Sequence, residues 1–200
     1  MLVRVTRRWW LLAGFGTPLW ACVAAPALAP RLDGDELRVS APEMQILTGK
    51  PLEKLLNGAT VGFAFQLTLV TDPRSLPFVR TIERFVVSYD LWEEKFSVAR
   101  VGRMRRSVSH LSASAAQMWC LDNLTLSTAG LPPNRPFWLR LEVRADDTQG
   151  GLGVLDEPGI NLTRLVEIFS RPPLAQQVRW QAEAGPLLLA NVRKSESLRR

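Results

Sequence analysis

Alternation of apolar and polar residues dominates this chain, and its clearest instance runs from Val61 to Thr71. Val61, Phe63, Phe65, Leu67 and Leu69 fall on one side, and Gly62, Ala64, Gln66 and Thr68 on the other. That is the period of a β-strand whose odd face belongs to a core. Leu37, Val39 and Ala41 alternate with Arg38 and Ser40 to give a shorter strand, closed by a turn at Ala41-Pro42. Thr81 to Tyr89 and Lys95 to Val101 flank Asp90-Leu91-Trp92-Glu93-Glu94, a spacing that predicts an antiparallel hairpin with a slightly enlarged loop. Pro132-Pro133-Asn134-Arg135-Pro136 forces an extended entry into Phe137, Leu139, Leu141, Val143 and Ala145, which alternate with Trp138, Arg140, Glu142 and Arg144. A half-buried antiparallel strand follows from that pattern. Val178, Trp180, Ala182 and Ala184 predict the last strand.

Helical spacing appears between these runs. Pro51 suits the first position of a short linker helix with Leu52, Leu55 and Leu56 on its apolar face, and Asn57-Gly58 can end it. Ser112 is placed to cap a helix running to Leu121, with Ala115, Met118 and Trp119 as its apolar set and Leu111 just ahead of the cap. Asp122-Asn123 breaks it. Asp146 to Gly153 reads as a polar, glycine-rich loop, and Asn161 as the cap of a third helix carrying Leu162, Leu165, Val166 and Phe169 until Arg171-Pro172-Pro173. The expected fold is α+β, mostly antiparallel sheet or sandwich-like, with two or three helices.

The first 27 residues follow a different pattern. Arg4, Arg7 and Arg8 precede an uncharged apolar run from Trp9 to Trp20, and Ala25-Pro26-Ala27 offers the small-x-small site of a secretory signal. The sequence therefore predicts a cleaved signal peptide over 1–27, with Ala25 and Ala27 at the cleavage site, and a single globular domain over 28–200 ending in a frayed basic tail. Three other readings compete. An uncleaved segment would anchor the chain in the inner membrane. Thr6-Arg7-Arg8-Trp9-Trp10-Leu11-Leu12 is similar to a twin-arginine signal, and Leu19-Trp20-Ala21-Cys22 to a lipoprotein box in which Cys22 is acylated.

The leader also changes the meaning of the charge. The formal net charge of +6 includes three leader arginines, so about +3 remains in the exported domain. With nineteen acidic residues dispersed along the chain, that balance argues against nucleic acid as a partner. Cys120 is the one cysteine outside the leader, so an intramolecular disulfide is not expected and the fold must rest on packing.

Candidate chemistry is sparse. His110 is the single histidine, which removes histidine-rich zinc sites and reduces any Ser-His-Asp arrangement to one residue. It reads as structural or solvated, and Cys120 as a core thiol. Gly150-Gly151-Leu152-Gly153 lacks the lysine of a phosphate loop, and Asp146-Asp147 and Asp156-Glu157 lack calcium-loop spacing. No cofactor is expected. Arg100, Arg103, Arg105 and Arg106 form the dense basic cluster, with two readings. It would contact anionic lipid headgroups or an acidic envelope partner, or it would be a charged edge strand protected from aggregation.

Several of these segments together resemble a family of uncharacterised exported bacterial proteins, domain of unknown function 4390. They are Leu37-Arg38-Val39-Ser40-Ala41, the leucine helix, the Val61 to Leu69 strand, Tyr89-Asp90 before its loop, Phe96-Ser97-Val98, the helix around Ala115, and Trp138-Leu139-Arg140-Leu141-Glu142. The resemblance spans roughly Leu37 to Asp147, and the chain departs from the pattern beyond it. It implies a small envelope protein, in some cases encoded near a sensor histidine kinase, and brings no catalytic or binding residues with it.

The expectation is thus a non-catalytic exported envelope or periplasmic accessory or protein-interaction domain. A small-ligand or lipid-binding envelope protein is the alternative, which would need a concave apolar pocket among the aromatic-bearing strands. A hydrolase using dispersed carboxylates stands third.

Overall fold

The central strand is the one with the strongest alternation. A computed structural model describes residues 28–72, 74, 76–102, 105–146 and 177–192. In it β3 (Val61–Val70) lies between β4 (Val79–Asp90) and β8 (Phe137–Asp146), antiparallel to both. β5 (Lys95–Val101) and β6 (Arg106–Leu111) extend the sheet beyond β4, and β9 (Arg179–Leu187) extends it beyond β8. The six-stranded order is β6-β5-β4-β3-β8-β9. A second, three-stranded antiparallel sheet has the order β1-β2-β7, from β1 (Ala29–Asp33), β2 (Glu36–Ser40) and β7 (Leu126–Ser127). With α1 (Gly49–Leu56) and α2 (Ala113–Asp122), the architecture is the expected α+β fold dominated by antiparallel sheet.

Register explains the core. Phe63, Phe65, Leu67 and Leu69 of β3 stand opposite Ala145, Val143, Leu141 and Leu139 of β8, so one face of the sheet is a continuous apolar surface. Phe63, Phe65, Phe85 and Phe137 on that face have no exposed area. Phe65 meets Phe85 edge to face at 5.2 Å between ring centroids, and Phe85 meets Trp119 of α2 at 6.0 Å. These contacts seat the helix on the sheet. Leu32, Leu37 and Val39 of the small sheet belong to the same core.

Several local expectations change. β1 is an additional strand, joined to β2 by a hairpin at Gly34, whose φ of 65° suits the Asp33-Gly34 turn. β6 is a further strand not predicted from the pattern, formed because β5 offers it an edge that no local pattern announces. Pro51 is the third residue of α1 and is buried. In α2, Ser112 does cap the helix, its Oγ accepting from the Ala115 N–H at 3.2 Å. The buried face, however, is Ala116, Cys120 and Leu121, while Met118 is 57% exposed. The error is about one helical position, since Trp119 and Ala116 turn toward the sheet together. The leader with Ala25, Ala27 and Cys22, the glycine-rich segment from Gly150, the residues for which a helix from Asn161 to Phe169 is predicted and the tail from Arg193 lie outside the described residues.

The segment between β2 and α1 is held by one side chain. Gln117 of α2 donates from Nε2 to the Met44 carbonyl and accepts the Ile46 N–H at 2.9 Å through Oε1. Its amide thus satisfies backbone groups of a non-repetitive stretch in which Met44 and Ile46 are buried.

Phe65→Ala should lower stability by about 3–5 kcal/mol, the range for truncating a fully buried aromatic. Gln66→Ala, on the opposite face of the same strand, should cost much less. Denaturant titrations giving equal small losses would contradict the assigned face.

Candidate functional site

The arginine cluster is divided by a turn. Arg100 lies near the end of β5 and Arg106 opens β6, directly across the ladder from it. Arg105 is exposed in the connection, and Arg103 lies outside the described residues. β6 is an edge strand of the sheet.

Arg100 is already engaged. Its Nε and Nη2 donate to the two oxygens of Glu83 at 3.0 and 2.7 Å, and both side chains are mostly buried. Register places this pair on the core side of the sheet, with Glu83 opposite Phe65 and Arg100 opposite Phe85. Burial pushes the Glu83 carboxyl above its ordinary range, outweighing the opposing pull of the Arg100 guanidinium. The pair closes the apolar face at its corner with a fork-to-fork ion pair, so of the cluster's described members Arg105 and Arg106 are the ones turned to solvent.

A second set of arginines was not apparent from local sequence. Arg80 and Arg84 of β4, Arg140 and Arg144 of β8, and Arg179 of β9 occupy the face of the sheet opposite the core. Arg84 and Arg144 are buried and flank Ala64 in register. Arg144 Nε donates to Glu142 at 2.6 Å, Arg179 comes within 3.8 Å of the same oxygen, and Arg140 pairs with Glu183 at 3.0 Å. The signal was present as arginines on the polar positions of alternating strands, but only the pairing of distant strands assembles them.

His110 stands at the far end of β6 with φ of 62°, beside the register shift in the β5–β6 ladder. Its Nε2 is 2.9 Å from Glu93, and its Nδ1 is 2.9 Å from the Ser109 hydroxyl. The imidazole therefore bridges a hydroxyl and a carboxylate, an array able to relay a proton, but on an open hairpin edge with His110 67% exposed. Next to it the Asp90 carboxylate is held below its ordinary range by the Glu93 and Trp92 backbone N–H groups. Cys120 is buried, and desolvation pushes its thiol far above the ordinary range, which disfavours the nucleophilic thiolate. Among the described residues no group of three histidine, cysteine or acidic side chains is placed to hold a metal ion.

An open cleft of about 570 Å³ lies where the two ends of the described fold converge. Ala29 and Pro30 of β1, Pro136, Pro186 and the helical turn at 189–192 line it. Beside it Gly185 has φ of 146°, and a Cβ there would collide with the Trp138 indole. The close approach of backbone to indole requires glycine.

No protein-family model, curated protein or solved structure matches the chain.

Arg100→Gln should leave the Glu83 carboxylate buried without its counter-ion and cost about 1.5–3 kcal/mol at pH 7. The folded-state pKa of Glu83 lies above its ordinary 4.5. Protonation therefore favours the folded state, and the deficit should shrink as pH falls through the raised value. Denaturant unfolding of both proteins at neutral and mildly acidic pH checks this; an undiminished deficit in acid would place its origin elsewhere.

Proposed function

We propose that the chain is a non-catalytic exported envelope domain that works as an accessory or interaction module. The observation that carries this reading is the filled inner face of the six-stranded sheet. Where a carrier of small apolar ligands needs a cavity among its aromatic strands, Phe63, Phe65, Phe85 and Phe137 pack without exposed area. Kinship with the uncharacterised exported family remains part of the proposal. The alternative, binding of a small ligand or lipid, draws its support from the cleft at Pro30, Pro136 and Pro186.

Export rests on the leader. Among the described residues no helix is long and apolar enough to cross a membrane, and the leader lies outside them. Intact mass of protein recovered from its host should place Leu28 at the N-terminus. A diacylglycerol adduct on Cys22 would replace cleavage with lipidation, and a full-length membrane-bound chain would replace it with anchoring.

The non-catalytic reading has its own test. A His110→Ala and Cys120→Ala double variant, accumulating at normal levels in cells lacking the native copy, should rescue any deletion phenotype. Rescue failing with folded protein present would overturn the reading and turn attention to the Ser109-His110-Glu93 array.

A further inference from the structure

The β4–β5 hairpin holds out an aromatic side chain that the core does not use. Asp90 pairs with Lys95 across the ladder, leaving Leu91-Trp92-Glu93-Glu94 as the loop. Trp92 is 96% accessible, the most exposed large apolar side chain among the described residues. Leu91 beside it is 55% accessible, and its Cδ1 rests against the turn after α1, 3.9 Å from where a Cβ at Gly58 would stand. Glu93 and Glu94 complete the loop, while Lys50, Lys54 and Lys95 belong to α1 and β5.

This loop is braced as well as exposed. Asp90 Oδ1 accepts the Trp92 N–H at 2.8 Å and the Glu93 N–H at 3.1 Å, which fixes the backbone that carries the indole. The Glu93 carboxylate lies 2.9 Å from His110 Nε2 on β6. Below the loop the Tyr89 and Phe96 rings, opposite each other in register, meet at 4.8 Å between centroids. The tip is thus tied to its own turn, to its base and to the neighbouring strand.

Neither Trp92 nor Glu94 serves the fold at this place. The indole is in water before and after folding, so it gains nothing from burial. Glu94 has φ of 53°, the left-handed conformation that glycine or asparagine adopts with less strain. A braced loop that displays a tryptophan, and keeps a carboxylate where glycine would fit more easily, has the properties of a binding surface. Its ordering is complete before a partner arrives, which lowers the entropy lost on association.

Deepening the interaction reading above, on which this inference rests, we propose that the Trp92 hairpin docks a protein partner that offers an apolar pocket rimmed by lysine or arginine. Trp92 fills the pocket, Leu91 closes its edge, and Glu93 and Glu94 meet the basic rim. Tryptophan suits the role because one side chain with few rotatable bonds buries a large area. Charge complementarity selects the class of partner. The carboxylates beside the indole would be repelled by anionic headgroups and would lose hydration on entering any bilayer, so the same tip disfavours lipid.

The test places the photo-crosslinking residue p-benzoylphenylalanine at position 91 of the full chain in its own host, with Trp92 intact, and in parallel at position 76 as an exposed control. Irradiation should give a protein adduct from position 91 that is absent from position 76 and lost with Trp92→Ala. The linked peptide, read by mass spectrometry, should carry lysine or arginine beside apolar residues. That partner, once purified, should bind the native chain, with affinity falling about tenfold or more for Trp92→Ala, and several-fold for Glu94→Gly or in high salt. Thermal unfolding should be unchanged for Trp92→Ala and unchanged or raised for Glu94→Gly, which separates lost binding from lost fold. No adduct from position 91, a lipid adduct there, an adduct joining two copies of this chain, or affinity indifferent to Trp92→Ala would each overturn the proposal. An adduct from position 76 alone overturns the hairpin and leaves an interaction module standing. Failed rescue by the His110 and Cys120 double variant, with the position 91 adduct intact in the otherwise native chain, defeats the non-catalytic reading alone.

Discussion

Everything in this fold depends on β3 being satisfied on both edges and enclosed on both faces. Its backbone groups pair with β4 and β8, its odd side chains fill the core, and on the other face Ala64, Thr68 and Val70 are also buried. A strand in that position tolerates neither a register slip nor a polar residue on its core face, because a slip of one residue would exchange its two faces. The rest of the architecture follows as cover. α2 closes the inner face through Trp119, Ala116 and Cys120, and the small sheet adds Leu37 and Val39 to the same core.

The legible parts of the sequence were those in which local pattern and tertiary environment agree. Val61 to Leu69, Phe137 to Ala145 and the hairpin around Asp90 alternate strongly because one face of each strand is core, so their periodicity survives in the chain. β6 escaped because Ser107, Ser109 and His110 are exposed at a sheet edge, where burial imposes little pattern and pairing is decided by the neighbouring strand. Met118 was misread for a related reason. The helix offers apolar residues on nearly every side, so its periodicity marks no face, and the sheet selects Ala116, Trp119 and Cys120.

The arginines show the same division. Their density between residues 100 and 106 was visible, but their separate employment was not. Arg100 is committed to Glu83 at the margin of the core, whereas Arg105 and Arg106 face solvent. The lattice on the far face joins residues from β4, β8 and β9, and proximity of that kind belongs to topology. An exposed pair such as Arg140 with Glu183 adds little stability. Its value lies more in keeping a broad face of sheet polar. Arg84 and Arg144 instead lay their aliphatic stems beside Ala64, where the small side chain leaves room.

The antiparallel pairing of β3 with β8 has a consequence for the order of events in the life of the chain. Gly62 meets Asp146 and Val70 meets Trp138, partners 84 and 68 residues apart, and contacts so distant in sequence delay folding. Until the ribosome has added the residues of β8, β3 has no second partner, and the preceding two-thirds of the chain can only sample hairpins and local helix. If the chain is exported as proposed, late closure would serve it: the polypeptide would stay threadable during synthesis, and the compact state would wait until the last strands had arrived.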